Sequence, residues 1–194
     1  IHVFITGTDP DTCSGGIGFA MAGYIEALKR AGFTVYTIPT YSPKGLRGKW
    51  WPWLKGIGTL AKQLIVLKTR GKTTVVYSHP GAILSLFREG VIQFFANILG
   101  AHTLLQIHAM EAYKMLQRLP GRTYLRLVLA CTKTICVLTE WWKTPVKRVI
   151  NKPLFVIPDP LPVHLEEKAR VSVNSKEHHP QISHEQNDLT ILTM

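Results

Sequence analysis

Short apolar runs rich in β-branched residues recur along the chain, and longer stretches with helical spacing separate them. The apolar runs are residues 2–6, 34–38, 73–78, 103–108, 134–138 and 154–158. The helical stretches are residues 15–31, 54–70, 82–99, 111–131 and 140–150, and Gly32 is a typical helix-terminating glycine. Near-continuous apolar strands that alternate with helices favour a parallel sheet covered on both faces. The sequence therefore predicts an α/β fold, a Rossmann-like doubly wound parallel sheet with helices on both faces.

The character of the sequence changes twice near its end. Residues 1–162 carry the strand and helix pattern and are long enough to bury the core of one sizeable domain. Residues 163–187 are polar and have little periodicity, which is typical of an exposed linker or long loop. Residues 188–194 begin another apolar strand. We expect that strand to be the first of a second, C-terminal domain.

Positive charge is concentrated in two regions of a chain whose formal net charge is +11. Eleven Lys or Arg and no acidic residue lie between Ala27 and Arg88. Nine more lie between Ala112 and Pro158, against the single Glu140. The expected partner is therefore anionic: a nucleic acid, a phosphorylated metabolite or an acidic membrane surface. Charge alone does not choose among the three.

The sequence favours a cytoplasmic protein. It has no apolar run long enough to span a bilayer, and it opens on a strand pattern, "IHVFITG", without the features of a secretory signal. The three cysteines, Cys13, Cys131 and Cys136, are an odd number without zinc-site spacing. Two of them lie in apolar surroundings, which favours buried thiols in a reducing compartment.

Candidate functional residues follow the predicted strands. Ligands of open parallel sheets bind beyond the carboxyl ends of the strands, so the residues at those ends are the first to consider. They are Gly15 and Gly16 after the first strand, His79 after the third, His108 after the fourth, with Glu111 close behind, and Thr139 and Glu140 after the fifth. We expect these residues to gather along one edge of the sheet.

Gly15 and Gly16 precede a helix, so their amides could meet a phosphate at the positive helix end. The alternative is a tight turn that needs glycine for close packing, but two adjacent glycines favour a ligand that approaches the backbone. The spacing matches neither the dinucleotide-binding GxGxxG pattern nor the P-loop of NTPases.

A single histidine after a strand is commonly structural, but two at equivalent strand ends favour ligand binding or proton transfer. His79 and His108 have no third ligand at metal spacing, and few carboxylates share their edge, so no metal is expected. Glu111 and Glu140 either begin helices, where a carboxylate complements the dipole, or contact a substrate. His178, His179 and His184 fall in the polar linker and are interpreted as solvated.

Five segments in order, "SGGIGFAMAGYIEALKRAGFTVYTI", "LLQIHAME", "CVLTEWWK", "VIPDPL" and "LTILTM", carry a resemblance to a known family. The chain resembles the N-terminal half of a family 4 glycosyltransferase with the GT-B fold. In that family, two Rossmann-like domains face each other across a cleft. The N-terminal domain mainly binds the acceptor substrate, and the C-terminal domain binds the nucleotide-sugar donor. Asp159 departs from the Asn-Gly that usually follows "IP" in the family, so no catalytic role is assigned to it.

The resemblance implies roles for the residues at the strand ends. Gly15 and Gly16 would approach the donor diphosphate, and His108 would lie beside the donor sugar and the reaction centre. His79, Glu111, Thr139 and Glu140 would line the side of the sugar acceptor. The implied reaction is retaining glycosyl transfer without a divalent metal or other cofactor. The implied partners are a nucleotide-sugar donor, a glycan or lipid-linked acceptor and the C-terminal domain of the same protein.

The segment Lys44–Lys72 is aromatic and basic together, with eight Lys or Arg and no acidic residue. Leu54, Ile57, Leu60, Ala61, Leu64 and Leu67 recur at helical spacing, which favours a core-facing stripe. Trp50, Trp51 and Trp53, flanked by Lys49 and Lys55, favour contact with an anionic membrane. We therefore expect the helix to pack inward while the residues before it touch lipid at the inner face of a membrane.

Two other functions remain open on sequence alone. A nucleic-acid-binding module would also use basic charge with interleaved aromatic residues, although no helix-turn-helix, RRM or zinc pattern is present and no nucleic-acid partner is predicted. A Rossmann-like enzyme of another type, such as a nucleotide-sugar epimerase, would need the dinucleotide glycines that this chain lacks.

Overall fold

A computed structural model of the chain describes residues 1–9, 16–42, 45–108 and 110–160. These residues belong to one compact unit, Ile1–Pro162. The expected linker at 163–187 and the expected strand at 188–194 lie outside the described residues, as do Cys13 and Gly15. The side chains of Lys49 and Glu111 are likewise not described.

The described residues form a parallel sheet of six strands. They are β1 (His2–Thr8), β2 (Thr34–Tyr41), β3 (Thr74–His79), β4 (His102–Ile107), β5 (Thr134–Val137) and β6 (Leu154–Val156). Their order in the sheet is β2-β1-β3-β4-β5-β6, and every neighbouring pair is parallel. The predicted strands are confirmed. Because the chain moves outward from β1 in both directions, the sheet has a switch point between β1 and β3, where such folds bind ligands.

Helices cover both faces of the sheet. They are α1 (Gly16–Arg30), α2 (Gly45–Thr69), α3 (Ile83–Ile98), α4 (Met110–Leu116), α5 (Leu119–Ala130), a 3₁₀ turn at Glu140–Trp142 and α6 (Lys143–Lys147). Within the described residues, α1 packs on the face that carries Val3 and Ile5. Helices α2 and α3 pack on the opposite face, which carries Phe4 and Val76. The predicted doubly wound α/β fold is confirmed.

Helix α2 is longer than its periodicity indicated, because it begins at Gly45 and continues through Pro52. A proline inside a helix leaves the carbonyl group four residues earlier without its usual donor. Here that carbonyl belongs to Gly48, and it accepts a hydrogen bond from the Ser42 amide at 3.0 Å. The Trp cluster therefore lies within the first turns of a helix and not in a preceding loop.

The predicted stripe of α2 packs on the sheet as expected. Leu60, Leu64 and Leu67 are buried against Phe4 and Val76, whereas Leu54 is exposed. Leu54 therefore differs from the prediction, since the inward face of the helix at that level carries Trp53, Gly56 and Ile57 instead. Among the described residues, no helix is both long enough and apolar enough to cross a bilayer.

The single helix expected at 111–131 is two helices. Pro120 lies in the first turn of α5, where the missing amide proton costs nothing because that position has no partner within the helix. One continuous helix would place Pro120 in the helix interior, where it would break the helix. At the corner, Gly121 lies against the backbone of Met115 with no space for a β-carbon. The chain therefore bends sharply between α4 and α5 and covers β4 and β5 with two short helices.

Candidate functional site

A cavity of about 470 Å³ opens at the carboxyl ends of β1, β2 and β3. It lies between the first turns of α1 and α3, at the switch point of the sheet. Its walls are formed by Gly7, Thr8, Gly16, Ile17, Gly18, Thr40, Tyr41, His79, Gly81, Ala82, Leu84, Ser85, Arg88 and Glu89. The space is large enough for a sugar-sized ligand and combines apolar, cationic and carboxyl wall groups.

His79 ends β3 and lines this cavity. Its imidazole is fully buried against the rings of Tyr24 and Tyr77, whose centroids lie 4.8 Å and 4.3 Å away. Burial, followed by the nearby His108, holds its pKa well below the usual range, so the ring is neutral at physiological pH. The Nε2 atom is buried and has no hydrogen-bond partner among the residues that the structure describes.

His108 follows β4, and its imidazole contacts both His79 and Asp159. The Nδ1 atom of His79 lies 2.9 Å from Nε2 of His108, and Nδ1 of His108 lies 3.4 Å from Oδ1 of Asp159. The structure thus brings together the two histidines that the sequence placed at equivalent strand ends. It adds an acidic residue to which the sequence assigned no role.

Tyr24 of α1 fixes the segment that carries Asp159. Its hydroxyl lies 3.2 Å from the carbonyl oxygen of Pro158 and 3.3 Å from Oδ1 of Asp159, and donates to one of them. Burial, then the charge of Asp159, raises the pKa of Tyr24, which keeps this hydroxyl a donor at physiological pH. Asp159 is therefore held at the His108 ring.

Glu89 of α3 places a buried carboxylate in the cavity wall. The hydroxyl groups of Thr6 and Thr40 each lie 2.5 Å from one of its oxygens and donate to it. Burial raises the pKa of Glu89, and the hydrogen bonds from Thr40, Thr6 and Ser78 oppose that shift. A carboxyl held between two hydroxyl donors is rigid and has a fixed orientation.

The polar contacts of Glu89 continue through the interior between α3 and the sheet. Thr6 Oγ1 lies 2.6 Å from Ser78 Oγ, which accepts a hydrogen bond of 2.7 Å from Nε2 of Gln93. The Oε1 atom of Gln93 accepts from the hydroxyl of Thr132 at 3.1 Å. The network joins β1, β3 and α3, so the position of Glu89 is coupled to the packing of the helix.

Arg88 adds a cationic group to the same wall. Its side chain is buried, and its guanidinium lies 5.6 Å from the centroid of the Tyr41 ring, within the range of a cation–π contact. Its backbone carbonyl accepts a hydrogen bond of 3.1 Å from the indole of Trp53. Adjacent residues of α3 therefore supply a guanidinium and a carboxyl group to the cavity wall.

The remaining predicted site residues are more dispersed. Gly16 begins α1 and lines the cavity, and a β-carbon there would meet no described residue within 4 Å. Thr139 and Glu140 are not among the cavity's wall residues, and Glu140 is exposed and ion-paired with Lys143 at 2.7 Å. In the described part of the chain, no group of three or more His, Cys, Asp or Glu side chains lies close enough to hold a metal ion.

The tryptophans of α2 have different environments. Trp50 and Trp51 are 40% and 69% exposed, and Lys55 is exposed as well. Trp53 is half-buried, donates to Arg88 and packs against the core between the sheet, α2 and α3. Trp53 therefore ties two helices together, and Trp50 and Trp51 are the members available to a partner.

Sequence reasoning missed Tyr24, Arg88, Glu89 and Asp159. For Glu89 a signal was present, because it shares the helical phase of Leu86 and Gln93, both buried. An acidic residue on the inward face of a helix indicates a buried, hydrogen-bonded carboxyl. Tyr24 and Asp159 have no comparable local signal.

Comparisons with known proteins leave the family open. No protein-family model matches the chain, and no curated protein matches it. Similar solved structures include arginase from Bacillus cereus, at 11% identity and a TM-score of 0.26, over 90% of this chain and 96% of that one. Arginase from Bacillus subtilis is similar at 13% identity and a TM-score of 0.26, over 94% of this chain and 99% of that one. Scores at this level carry no argument about function.

Proposed function

We propose that this chain is the acceptor-side lobe of a nucleotide-sugar-dependent, retaining glycosyltransferase. The observation that carries the proposal is the cavity at the switch point together with His79 in its wall, which His108 contacts at 2.9 Å. It is supported by the ordered sequence segments that resemble the N-terminal half of family 4 glycosyltransferases. In such an enzyme the opposing lobe binds the nucleotide and closes over this edge.

The start of α1 suits the donor diphosphate. Gly16 is the first residue of a 15-residue helix, and the amides at a helix start carry partial positive charge toward a bound anion. A β-carbon at Gly16 would meet no atom of the described residues within 4 Å, which supports approach of a ligand to the backbone. We propose that Gly16, with Gly15 before it, stabilises the departing phosphate without a divalent metal.

The polar wall suits a hydroxylated acceptor substrate. His79 is neutral and buried at the cavity wall, and Glu89 is fixed by its threonine donors. Groups of this kind orient sugar hydroxyls by hydrogen bonding. We propose that His79 and Glu89 position the acceptor, while His108 lies nearer to the donor sugar and the reacting carbon.

A membrane-bound acceptor is supported by the surface of α2. Trp50, Trp51 and Lys55 are exposed near the amino end of the helix, in a region without acidic residues. Tryptophan favours the bilayer interface, and each cation near an anionic surface adds about 1 kcal/mol of attraction. We propose a cytoplasmic enzyme peripheral to the inner face of a membrane, acting on a lipid-linked or cell-envelope acceptor.

The proposal is tested by sugar transfer with the full product of the gene. The assay pairs a panel of nucleotide-sugar donors with lipid-linked acceptors on anionic vesicles, and compares the parent with His108→Ala. We expect transfer with retention of anomeric configuration, and at least a hundredfold loss in the variant, typical of lost transition-state contacts. No transfer with any donor, or inverted product, would overturn the assignment.

The 194-residue chain alone is expected to transfer no sugar, because the proposed donor contacts belong to the opposing lobe. Transfer by this chain in the same assay would contradict the two-lobe arrangement. Binding of single-stranded oligonucleotides, weakened by salt, would instead favour a nucleic-acid-binding module.

A further inference from the structure

Helix α3 exposes only large apolar side chains. Its exposed residues are Ile83, Leu84, Phe87, Phe94, Phe95 and Ile98, each between 40% and 62% exposed. We call these six side chains the α3 face, and we propose that it inserts into the interface of an anionic lipid bilayer. The inference rests on the proposed membrane location and assigns the insertion to α3, as a contact additional to the exposed tryptophans of α2.

The absence of charge from the α3 face has a cause inside the protein. A helix that covers a sheet normally exposes polar and charged side chains. The two charged residues of α3, Arg88 and Glu89, are instead buried and line the cavity. Because both charges are used on the inward side, none is left for the exposed side. A contiguous exposed apolar surface of this kind marks an interaction site.

The apolar surface continues from α3 onto α2. Phe95 and Ala61 line the same groove between the two helices. Leu54 and Ile65 lie seven residues before and four residues after Ala61, so they fall on the same side of α2. Both are exposed. The exposed apolar side chains of the two helices therefore adjoin.

Basic residues lie on the two helices that contact α3. Those exposed on α2 include Lys55, Lys62 and Lys68. Helix α5 packs beside α3, where the Tyr124 hydroxyl donates to the Ile83 carbonyl at 2.6 Å, and it exposes Arg126. Neither α2 nor α5 contains an acidic residue, and Glu89 of α3 is buried. In the described part of the chain, these three helices thus offer exposed cations and no exposed carboxylate.

The breadth of the α3 face favours a lipid surface over another helix. At 100° per residue, its six side chains span about a third of the helix circumference. A coiled-coil seam is narrower, and charged residues of the same helix flank it. A second copy of a chain whose net charge is +11 would also bring two sets of cations together. An anionic bilayer accepts the apolar side chains and attracts the cations beside them.

Leu84 connects the α3 face to the cavity. It belongs to that face and also lines the cavity, together with Ala82 and Ser85 at the start of α3. A bilayer that receives the α3 face therefore lies beside the cavity. This arrangement suits an acceptor whose apolar chain stays in the bilayer while its polar end enters the cavity.

Insertion is tested by ¹⁹F NMR on the chain labelled with 4-fluorophenylalanine and bound to anionic lipid nanodiscs. A lipid with a nitroxide at the start of its acyl chain broadens the signals of fluorines that enter the interface. Phe87→Leu, Phe94→Leu and Phe155→Leu assign the signals. We expect the Phe87 and Phe94 signals to broaden, and that of Phe155, which is exposed on β6, to stay sharp. Equal broadening of the three signals, or broadening of none, would overturn the insertion.

Vesicle sedimentation measures the contribution of the α3 face to binding. Phe87→Gln combined with Phe94→Gln should weaken partition onto anionic vesicles at least about tenfold, because two half-exposed aromatic rings no longer leave water. Phe155→Gln is the matched control and should leave partition unchanged. The parent should bind neutral vesicles at least about tenfold more weakly than anionic ones. A double variant that sediments like the parent would contradict the role of α3.

The outcomes separate this inference from the proposed function. If Trp50→Ala with Trp51→Ala weakens sedimentation and the phenylalanine variant does not, the membrane location stands and the α3 face is overturned. A parent that binds neither kind of vesicle overturns both. A lipid-free dimer in sedimentation velocity that the phenylalanine variant abolishes would assign the face to a second copy and overturn the lipid contact. No sugar donor is added, so these results do not depend on sugar transfer.

Discussion

Gly23 of α1 lies against the carbonyl group of Pro160, in a contact that leaves no room for a β-carbon. At this point the chain that leaves β6 crosses the helix. The crossing carries Asp159 to the Nδ1 atom of His108 and to the Tyr24 hydroxyl. A glycine in the middle of a helix is therefore required by an approach of the backbone from a distant segment.

Substituting Gly23 tests this crossing. We expect Gly23→Ala to lower the free energy of unfolding by about 1–3 kcal/mol, because the new methyl group displaces Pro160 or strains the helix. Urea denaturation followed by circular dichroism measures the change. Gly58→Ala is the matched control, since a β-carbon there meets nothing within 4 Å, and it should stabilise α2 by about 0.5–1 kcal/mol. Equal effects of the two substitutions would contradict the tight crossing.

Glu89 is expected to make the folded protein less stable as the pH rises. Its pKa is raised by burial above the usual 4.5, so below pH 4.5 the carboxyl is protonated in both states and costs nothing. As the pH rises through the raised pKa, the folded protein loses stability relative to Glu89→Gln, by about 1.4 kcal/mol for each unit of the shift. Denaturation of both proteins from pH 4 to 8 measures this difference. Curves that stay parallel over that range would show that the carboxyl is not desolvated.

His79 produces the opposite trend on the acid side. Its pKa is lowered from 6.5 by burial, so below pH 6.5 the unfolded chain binds a proton that the folded ring does not. Stability should fall as the pH drops, with a slope of at most about 1.4 kcal/mol per pH unit for one proton. His79→Gln should reduce this acid-side decrease in stability, whatever the effect of the substitution on stability at pH 8. The readout is the slope between pH 6.5 and 5, and an unchanged slope would argue against a neutral, buried His79.

Substitutions of the tryptophans of α2 should affect membrane binding and folding stability separately. Trp50→Ala combined with Trp51→Ala should weaken partition onto anionic vesicles about tenfold, which corresponds to ~1.4 kcal/mol, because two exposed indoles are removed. Their effect on stability should be small. Trp53→Phe should leave vesicle binding unchanged but cost about 1 kcal/mol of stability, since the hydrogen bond to Arg88 is lost. Vesicle sedimentation and urea denaturation distinguish the two outcomes. Undiminished sedimentation of the double variant would remove the support for lipid contact.

Local rules explain why some boundaries were predicted and others were not. Gly32 ends α1 with a φ of +83° in the left-handed region, as its position in the sequence indicated. Helix α2 begins earlier than predicted because the Gly48 carbonyl finds a donor in Ser42, six residues back in the chain. Pro120 in the sequence indicates that a new helix begins there. The sharp bend between α4 and α5 depends on the close packing of Gly121 against the backbone of Met115.

By itself, the sequence determined the number and order of the strands, their alternation with helices, and the placing of His79 and His108 at adjacent strand ends. Such features depend on periodicity and on turn residues, which act over a few positions. Tertiary structure alone decided that Glu89 lies between Thr6 and Thr40, that Trp53 joins α2 to α3, and that Asp159 reaches His108. These contacts join residues far apart in the chain. Their geometry is set by how α1 and α3 pack on the sheet, and no local pattern encodes it.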